Sequence, residues 1–153
     1  MRHYASVAVP LFHGNVILMR RRNREDDPWS GDMSFPGGFL KSGEDFIDAA
    51  RREFEEETGI NRNELVPYLE MQIFHPVRFP EVNVKPFVFK LNEMFPIRPN
   101  DEMNYGKWYE LKNGSSRYDD IKGNFYVFDG DIVWGLTYRI LNSLIQERPE
   151  ILE

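Results

Sequence analysis

The chain has 153 residues, 25 acidic against 19 basic, a net charge of −6 and no cysteine. That length fits one domain, 1–153, and 41% hydrophobic residues with 14% aromatics supply its core. Disulfides, thiolate catalysis and cysteine metal sites are excluded, and the acidic balance argues against a general nucleic-acid binder. No apolar run reaches signal-peptide or membrane-spanning length, so the expectation is a cytoplasmic protein with neither membrane nor nucleic acid as partner.

Tyr4 to Phe12 and Asn15 to Arg20 read as two strands joined at His13 and Gly14, with Val16 and Leu18 alternating against Ile17 and Met19. Arg24 to Gly31 is a polar loop, and Phe35-Pro36-Gly37-Gly38 turns the chain toward a helix. For that helix, Ser42 with Asp45 reads as a capping box, Asp48 stands four residues before Arg52 for an ion pair, and Gly59 supplies a left-handed end. Leu65 to Phe74 and Val82 to Leu91 read as strands around a loop containing Pro76 and Pro80. Lys107 to Leu111 is a short strand, and Ile132 to Gln146 a closing amphipathic helix carrying Ile132, Leu136, Ile140, Leu144 and Ile145. This order predicts an α/β fold, a mixed sheet sandwiched between helices.

Glu53, Glu56 and Glu57 lie three and four residues apart and project from one helix face, while Glu55 points elsewhere. Their mutual repulsion requires a divalent cation, a cationic partner or open water, and oxygen ligands of this kind suit magnesium or manganese rather than zinc. Stepping about 100° per residue puts Phe46, Ile47, Ala50 and Phe54 in one buried arc. Glu53 and Glu57 fall in or beside it, Glu56 falls at its edge, and Glu55 lies on the solvent side with Arg51. Inward carboxylates are costly unless paired or metal-bound, which weighs against an ordinary solvated acidic face. They also sit in the last turns, where the helix dipole disfavours negative charge.

Gly38, Glu44, Arg52, Glu53, Phe54, Glu56, Glu57, Gly59 and Ile60 occupy every specified position of the Nudix box, and the segment resembles that family. The resemblance implies a Nudix fold and hydrolysis of a diphosphate linkage in a nucleoside diphosphate joined to another group X. It also implies a Mg2+ or Mn2+ cofactor held by Glu53, Glu56 and Glu57, with the Gly38 carbonyl as a further ligand. Arg52 and Glu44 would keep loop and helix in register, and Gly59 would support the box. The general base is either Glu53, inside the box, or Glu102, on a later loop beside a tryptophan-bearing strand. Many members pair as dimers, which leaves a homodimer open here.

Two branches compete for the substrate. Gly31 to Gly38 looks like the GxxxFPGG turn of coenzyme A pyrophosphatases, with Leu18, Met19 and Arg22 before it and Val84 to Val88 and Asp131 to Thr137 after it. Asp27, Arg20 and Asn23 depart from that signature, Asp27 standing where it has a second arginine. Pro76, sixteen residues beyond Ile60, is similar to a proline of ADP-ribose hydrolases. Both substrates contain an ADP unit. Coenzyme A or an acyl derivative is the leading expectation, ADP-ribose the alternative, and a binding module without catalysis the reading of another class. Arg22, Phe35 and Arg78 are the candidate substrate contacts, with Arg20, Arg21 and Arg24 as further cations near the turn. His75 could reach substrate, Trp29, Phe79 and Tyr105 could stack an adenine, and Trp134 is expected to be packing.

Overall fold

The computed structural model describes residues 3–25 and 30–153; Asp27 and Trp29 lie outside them. The first hairpin forms as expected. Strand β1 (Tyr4–Phe12) meets β2 (Asn15–Arg21) through His13 and Gly14, both at positive φ (41° and 78°), the backbone of a tight turn between right-twisted strands. The two strands pair only near the turn, at Leu11–Val16 and Phe12–Asn15, and then diverge. The chain that follows fills the gap: β3 (Met33–Ser34) pairs with Met19 and Arg20 of β2, and β4 (Gly37–Phe39) with Ala5 to Val7 of β1.

Helix α1 (Phe46–Thr58) follows, then β5 (Val66–Glu70), β6 (Asn83–Lys90) and β7 (Met103–Glu110). β6 runs parallel to β1 from Tyr4–Asn83 to Leu11–Lys90, β5 pairs with β6, and β7 lies along β2, completing a seven-stranded mixed sheet. Alternation along the central strands gives this sheet two apolar faces. Ala8, Ile17, Met19, Phe87 and Phe89 pack under Ala50 and Phe54 of α1. Val9, Val16, Leu18 and Val88 face a second cluster containing Ile140, Leu141 and Leu144 of helix α2 (Gly135–Glu147). The sheet therefore lies between two helices, the predicted architecture.

Several boundaries differ from the sequence reading. The cap of α1 is Asp45, whose carboxylate accepts the Asp48 N–H at 3.0 Å; Ser42 precedes a glycine at φ 80° and lies outside the helix. Arg52 turns to Glu44, Glu53 and Glu56 rather than pairing with Asp48. Gly59 does end the helix in the left-handed region, at φ 74°, its N–H bonded to the Glu55 carbonyl at 2.9 Å. Glu55 sits on the outer side as expected and binds Arg62 at 2.7 Å. The strand predicted over Leu65 to Phe74 stops at Glu70, with Phe74 making an isolated bridge to Val84.

The C-terminal third holds more strand than its hydrophobic pattern predicts. A second sheet, β8 (Ser115–Asp119), β9 (Gly123–Phe128) and β10 (Asp131–Val133), precedes α2, so Ile132 is a strand residue and the helix begins three residues later. β8 is exposed and polar along most of its length, which hides it from a hydrophobic pattern. Asp129-Gly130, at φ 49° and 84°, is the turn signal that marks β9–β10. No helix among the described residues is long and apolar enough to cross a membrane.

Candidate active site

Two glycines permit close approaches here, β4 to β1 at Gly37 and α1 to β4 at Gly38. A Cβ at Gly37 would strike the Ser6 carbonyl and the Val7 side chain, and one at Gly38 would fall on the Glu53 carboxylate. The Gly37 N–H donates to Glu57 Oε1 at 3.3 Å. Glu57 Oε2 is buried with no hydrogen-bond partner among the described residues. Glu57 is fully buried, Glu53 is 9% exposed, and Glu56 is exposed at the edge of the face, as the helical wheel predicts.

Arg52 organises the outer side of this cluster. Its Nε and Nη2 donate to the two oxygens of Glu44 at 2.7 and 2.9 Å, a bidentate grip, and Nη2 also reaches the Phe39 carbonyl at 3.3 Å. Nη1 donates to Glu53 at 3.0 Å and Glu56 at 3.2 Å. Glu44 also accepts the Lys41 N–H at 2.9 Å, so the loop before α1, the end of β4 and the carboxylates are tied through one guanidinium.

Electrostatics follow from burial. Desolvation, then hydrogen bonding with Glu56, pushes Glu53 up to about 8, although Arg52 pulls it down. Burial first, then the charge of Glu53, holds Glu57 well above the usual carboxylate range, with Arg21 opposing. The hydrogen bonds from Arg52 hold Glu44 below that range. Glu102 stands close enough for its charge to act on both Glu53 and Glu57, so the fold brings the loop candidate to the box. Its carbonyl accepts the Arg22 N–H at 2.9 Å and its own N–H binds Asn100 Oδ1 at 3.0 Å, fixing that loop against the end of β2.

Among the described residues no three acidic or histidine side chains stand together at metal-binding spacing. Arg52 lies across Glu53 and Glu56 instead, the cationic partner that like-charged carboxylates require. The donor set nevertheless fits a hard divalent cation: desolvated carboxylates, an orphaned Glu57 oxygen, and a glycine strand leaving Gly38 room against Glu53.

The other predicted contacts separate. Arg22 is exposed beside the Glu102 loop. Phe35 is 2% exposed and packs in the core facing α2, so it offers no ring face to a ligand, a correction to its reading as a substrate contact. Arg78 stacks on Phe79, 5.8 Å from the ring centroid, and lines a cleft of about 390 Å³ on the far side of β3. His75 is structural: Nδ1 lies 3.0 Å from the Val82 carbonyl, and its own carbonyl accepts from Arg139 at 2.7 Å. The Tyr105 hydroxyl is bound to Asp131 at 2.6 Å. Trp134, expected to be packing, is half-buried and borders the same cleft, its indole N–H on Asp32 Oδ1 at 3.3 Å. The sequence offers Asp131 and Ser34 only as members of the two signature stretches, and Arg139 not at all; Asp131 accepts hydrogen bonds from Tyr105 and Tyr109, and the other two line the cleft.

The site is thus a helix of inward carboxylates set against a glycine strand in an α/β/α sandwich. The model of the NUDIX domain matches residues 1–126, and the chain belongs to that family. An RNA pyrophosphohydrolase from Caulobacter vibrioides is 38% identical over 86 residues, 56% of this chain and 48% of that protein. An ADP-ribose pyrophosphatase from Methanocaldococcus jannaschii is 29% identical over 102 residues, 64% of this chain and 56% of that protein. The chain thus spans about half the length of these curated relatives. The fold is similar to that of a bifunctional NMN adenylyltransferase/ADP ribose pyrophosphatase from Francisella tularensis, solved with AMP and a manganese ion (TM-score 0.68, 20% identity, 96% of this chain and 42% of that one).

Proposed function

We propose that the protein is a metal-dependent hydrolase of a diphosphate linkage in a nucleoside diphosphate joined to X. The observation that carries this reading is the pair of buried carboxylates, Glu53 and Glu57, held against Gly37 and Gly38, one with an oxygen that no described residue satisfies. A pure structural role does not account for them, because burying carboxylates without compensation is unfavourable. The two relatives with named activities both cleave pyrophosphate linkages, which supports the reaction class.

Glu53, Glu56, Glu57 and the Gly38 carbonyl would hold Mg2+ or Mn2+. Such an ion neutralises phosphoryl charge and acidifies a bound water. Arg52 and Glu44 keep the carboxylate helix aligned with β4. Glu102, whose charge already acts on Glu53 and Glu57, is the loop group assigned to take the proton of the attacking water, with Glu53 the alternative. Arg22 and Arg78 are the proposed cationic contacts of the substrate. A module that binds without hydrolysing has no need of a complete box, and none of its glutamates is missing.

Coenzyme A or an acyl derivative, cleaved to adenosine 3′,5′-bisphosphate and a phosphopantetheine, is the leading substrate, supported by the turn from Gly31 to Gly38. ADP-ribose is the alternative, and the archaeal relative's activity favours it. A product-resolved screen of coenzyme A, ADP-ribose, NADH, nucleotide sugars and nucleoside triphosphates tests the choice. RNA joins the panel because one relative is an RNA pyrophosphohydrolase. Hydrolysis of nucleoside triphosphates alone would reject both substrate assignments and keep the chemistry.

A further inference from the structure

The cleft beyond β3 is built differently from the carboxylate face. Phe79 and Trp134 supply aromatic walls, and Arg78 and Arg139 enter from two segments, the loop after β5 and the first half of α2. At about 390 Å³ it is within the size range of small-ligand sites. Of its three cations, Lys122 pairs with Asp119 at 3.6 Å. Among the described residues no carboxylate pairs with Arg78 or Arg139, and the Arg139 Nε is buried without a hydrogen-bond acceptor. Ser34 Oγ, on the same wall, is likewise buried and unpartnered. The carboxylate beside them, Asp32, is engaged by the Trp134 indole at 3.3 Å, which also fixes the ring.

Burial pulls the Arg139 guanidinium below its ordinary range, as expected of a desolvated cation without a counter-ion. Arg139 Nε and Ser34 Oγ are closed to solvent, and leaving such groups unpaired among the described residues is costly to the fold. Ser34 and Gly38 are four residues apart, so at most about 14 Å of chain separates this wall from the metal cradle. A substrate reaching both places would span no more than that distance.

We infer that this cleft holds the nucleoside half of the substrate and that Arg139 and Arg78 read an additional phosphate on its ribose. The base lies against Trp134 or Phe79, since every base offers a face for aromatic stacking. The ribose phosphate pairs with the guanidinium groups of Arg139 and Arg78, a charge-assisted arrangement that a plain ADP unit cannot complete. This assignment rests on the hydrolase reading and decides between its two substrates: coenzyme A carries such a phosphate and ADP-ribose does not.

Calorimetric titration without metal tests it, using AMP, adenosine 3′,5′-bisphosphate and adenosine 2′,5′-bisphosphate as probes. Wild type is expected to bind one of the bisphosphates about 10- to 100-fold tighter than AMP. Arg139→Met and Arg78→Met should each weaken bisphosphate binding more than AMP binding, so that the ratio shrinks. Arg78 is exposed, so its variant is insulated from folding defects, and Arg139→Lys, which keeps the charge, should retain part of the preference. Equal binding of AMP and both bisphosphates by wild type overturns the inference. So does an equal loss on all probes in both methionine variants. Turnover of ADP-linked diphosphates, measured in parallel, separates the two readings. Product without a bisphosphate preference removes the ribose-phosphate site and keeps the hydrolase. Preference without product keeps the site and removes the hydrolase.

Discussion

Arg52 grips Glu44 through two parallel hydrogen bonds, 2.7 and 2.9 Å long, with both side chains nearly buried at 11% and 13% exposure. The pair joins the middle of α1 to the loop that enters it, and the same guanidinium carries Glu53 and Glu56. Because Arg52 holds Glu44 below its ordinary range, the folded form binds its proton less readily than the unfolded chain. The stabilisation is therefore fully present above the unfolded value, near pH 4.3, and is lost as pH falls through the lower folded value. Glu44→Gln should cost about 1–3 kcal/mol at pH 7, with the deficit closing as pH falls below the unfolded value. Urea unfolding of both proteins across that range measures it.

Gly38→Ala tests the glycine strand. Its Cβ would fall on the Glu53 carboxylate, so the carboxylate or the helix must shift. A displacement of about 1 Å in a catalytic constellation costs on the order of 100-fold in rate. The expected variant is folded by circular dichroism, with hydrolysis reduced by about that factor. Steady-state assays at saturating metal check it.

Glu57 should show stability traded for function. It is fully buried with one oxygen unsatisfied, and Glu57→Gln removes the charge while keeping an acceptor for the Gly37 N–H. Without metal the variant should melt higher, by about 2–4 °C for each kcal/mol of relieved desolvation. Hydrolysis should fall sharply. Thermal melts in chelator, paired with rate measurements, decide it.

Asp131 anchors the second sheet to the first. Its two oxygens accept from Tyr105 and Tyr109 of β7, and burial, followed by that bond, raises the Tyr109 hydroxyl far above its ordinary range. Asp131→Ala removes the acceptor of the Tyr109 hydroxyl and the shortest contact of the Tyr105 hydroxyl, which keeps Met33 Sδ at 3.9 Å, and should cost about 2–4 kcal/mol. Urea unfolding should show this as a lower midpoint. Asp131→Asn should lose less, since the amide keeps one acceptor.

The carboxylate face was legible in sequence because helical spacing fixes direction: Glu53 and Glu57 turned inward and Glu56 to the edge, as the wheel requires. The hairpin at His13 and Gly14 and the apolar alternation of β2 were legible for the same reason. Less could be read where tertiary contacts choose between local options. Asp45 displaced Ser42 as the cap because Gly43 took a left-handed turn before the helix. Phe35 resembled a contact by its place in the turn, yet β3 aims it into the core. β8 carries its pairing in the backbone, with polar side chains that give no periodic signal. Arg139 gave no signal at all, since only the fold places it beside Arg78 and Ser34.

The most direct test is product-resolved hydrolysis of ADP-linked diphosphates by wild type and Glu56→Gln, with Mg2+, with Mn2+ and with chelator. Glu56 is exposed at the edge of the site, so its variant should fold normally. Product is expected with either metal, none in chelator, and a loss of at least about 100-fold in Glu56→Gln, typical of removing a group that acts at the reacting centre. No product from any member of the panel, with Glu56→Gln binding ligands as wild type does, would contradict that expectation.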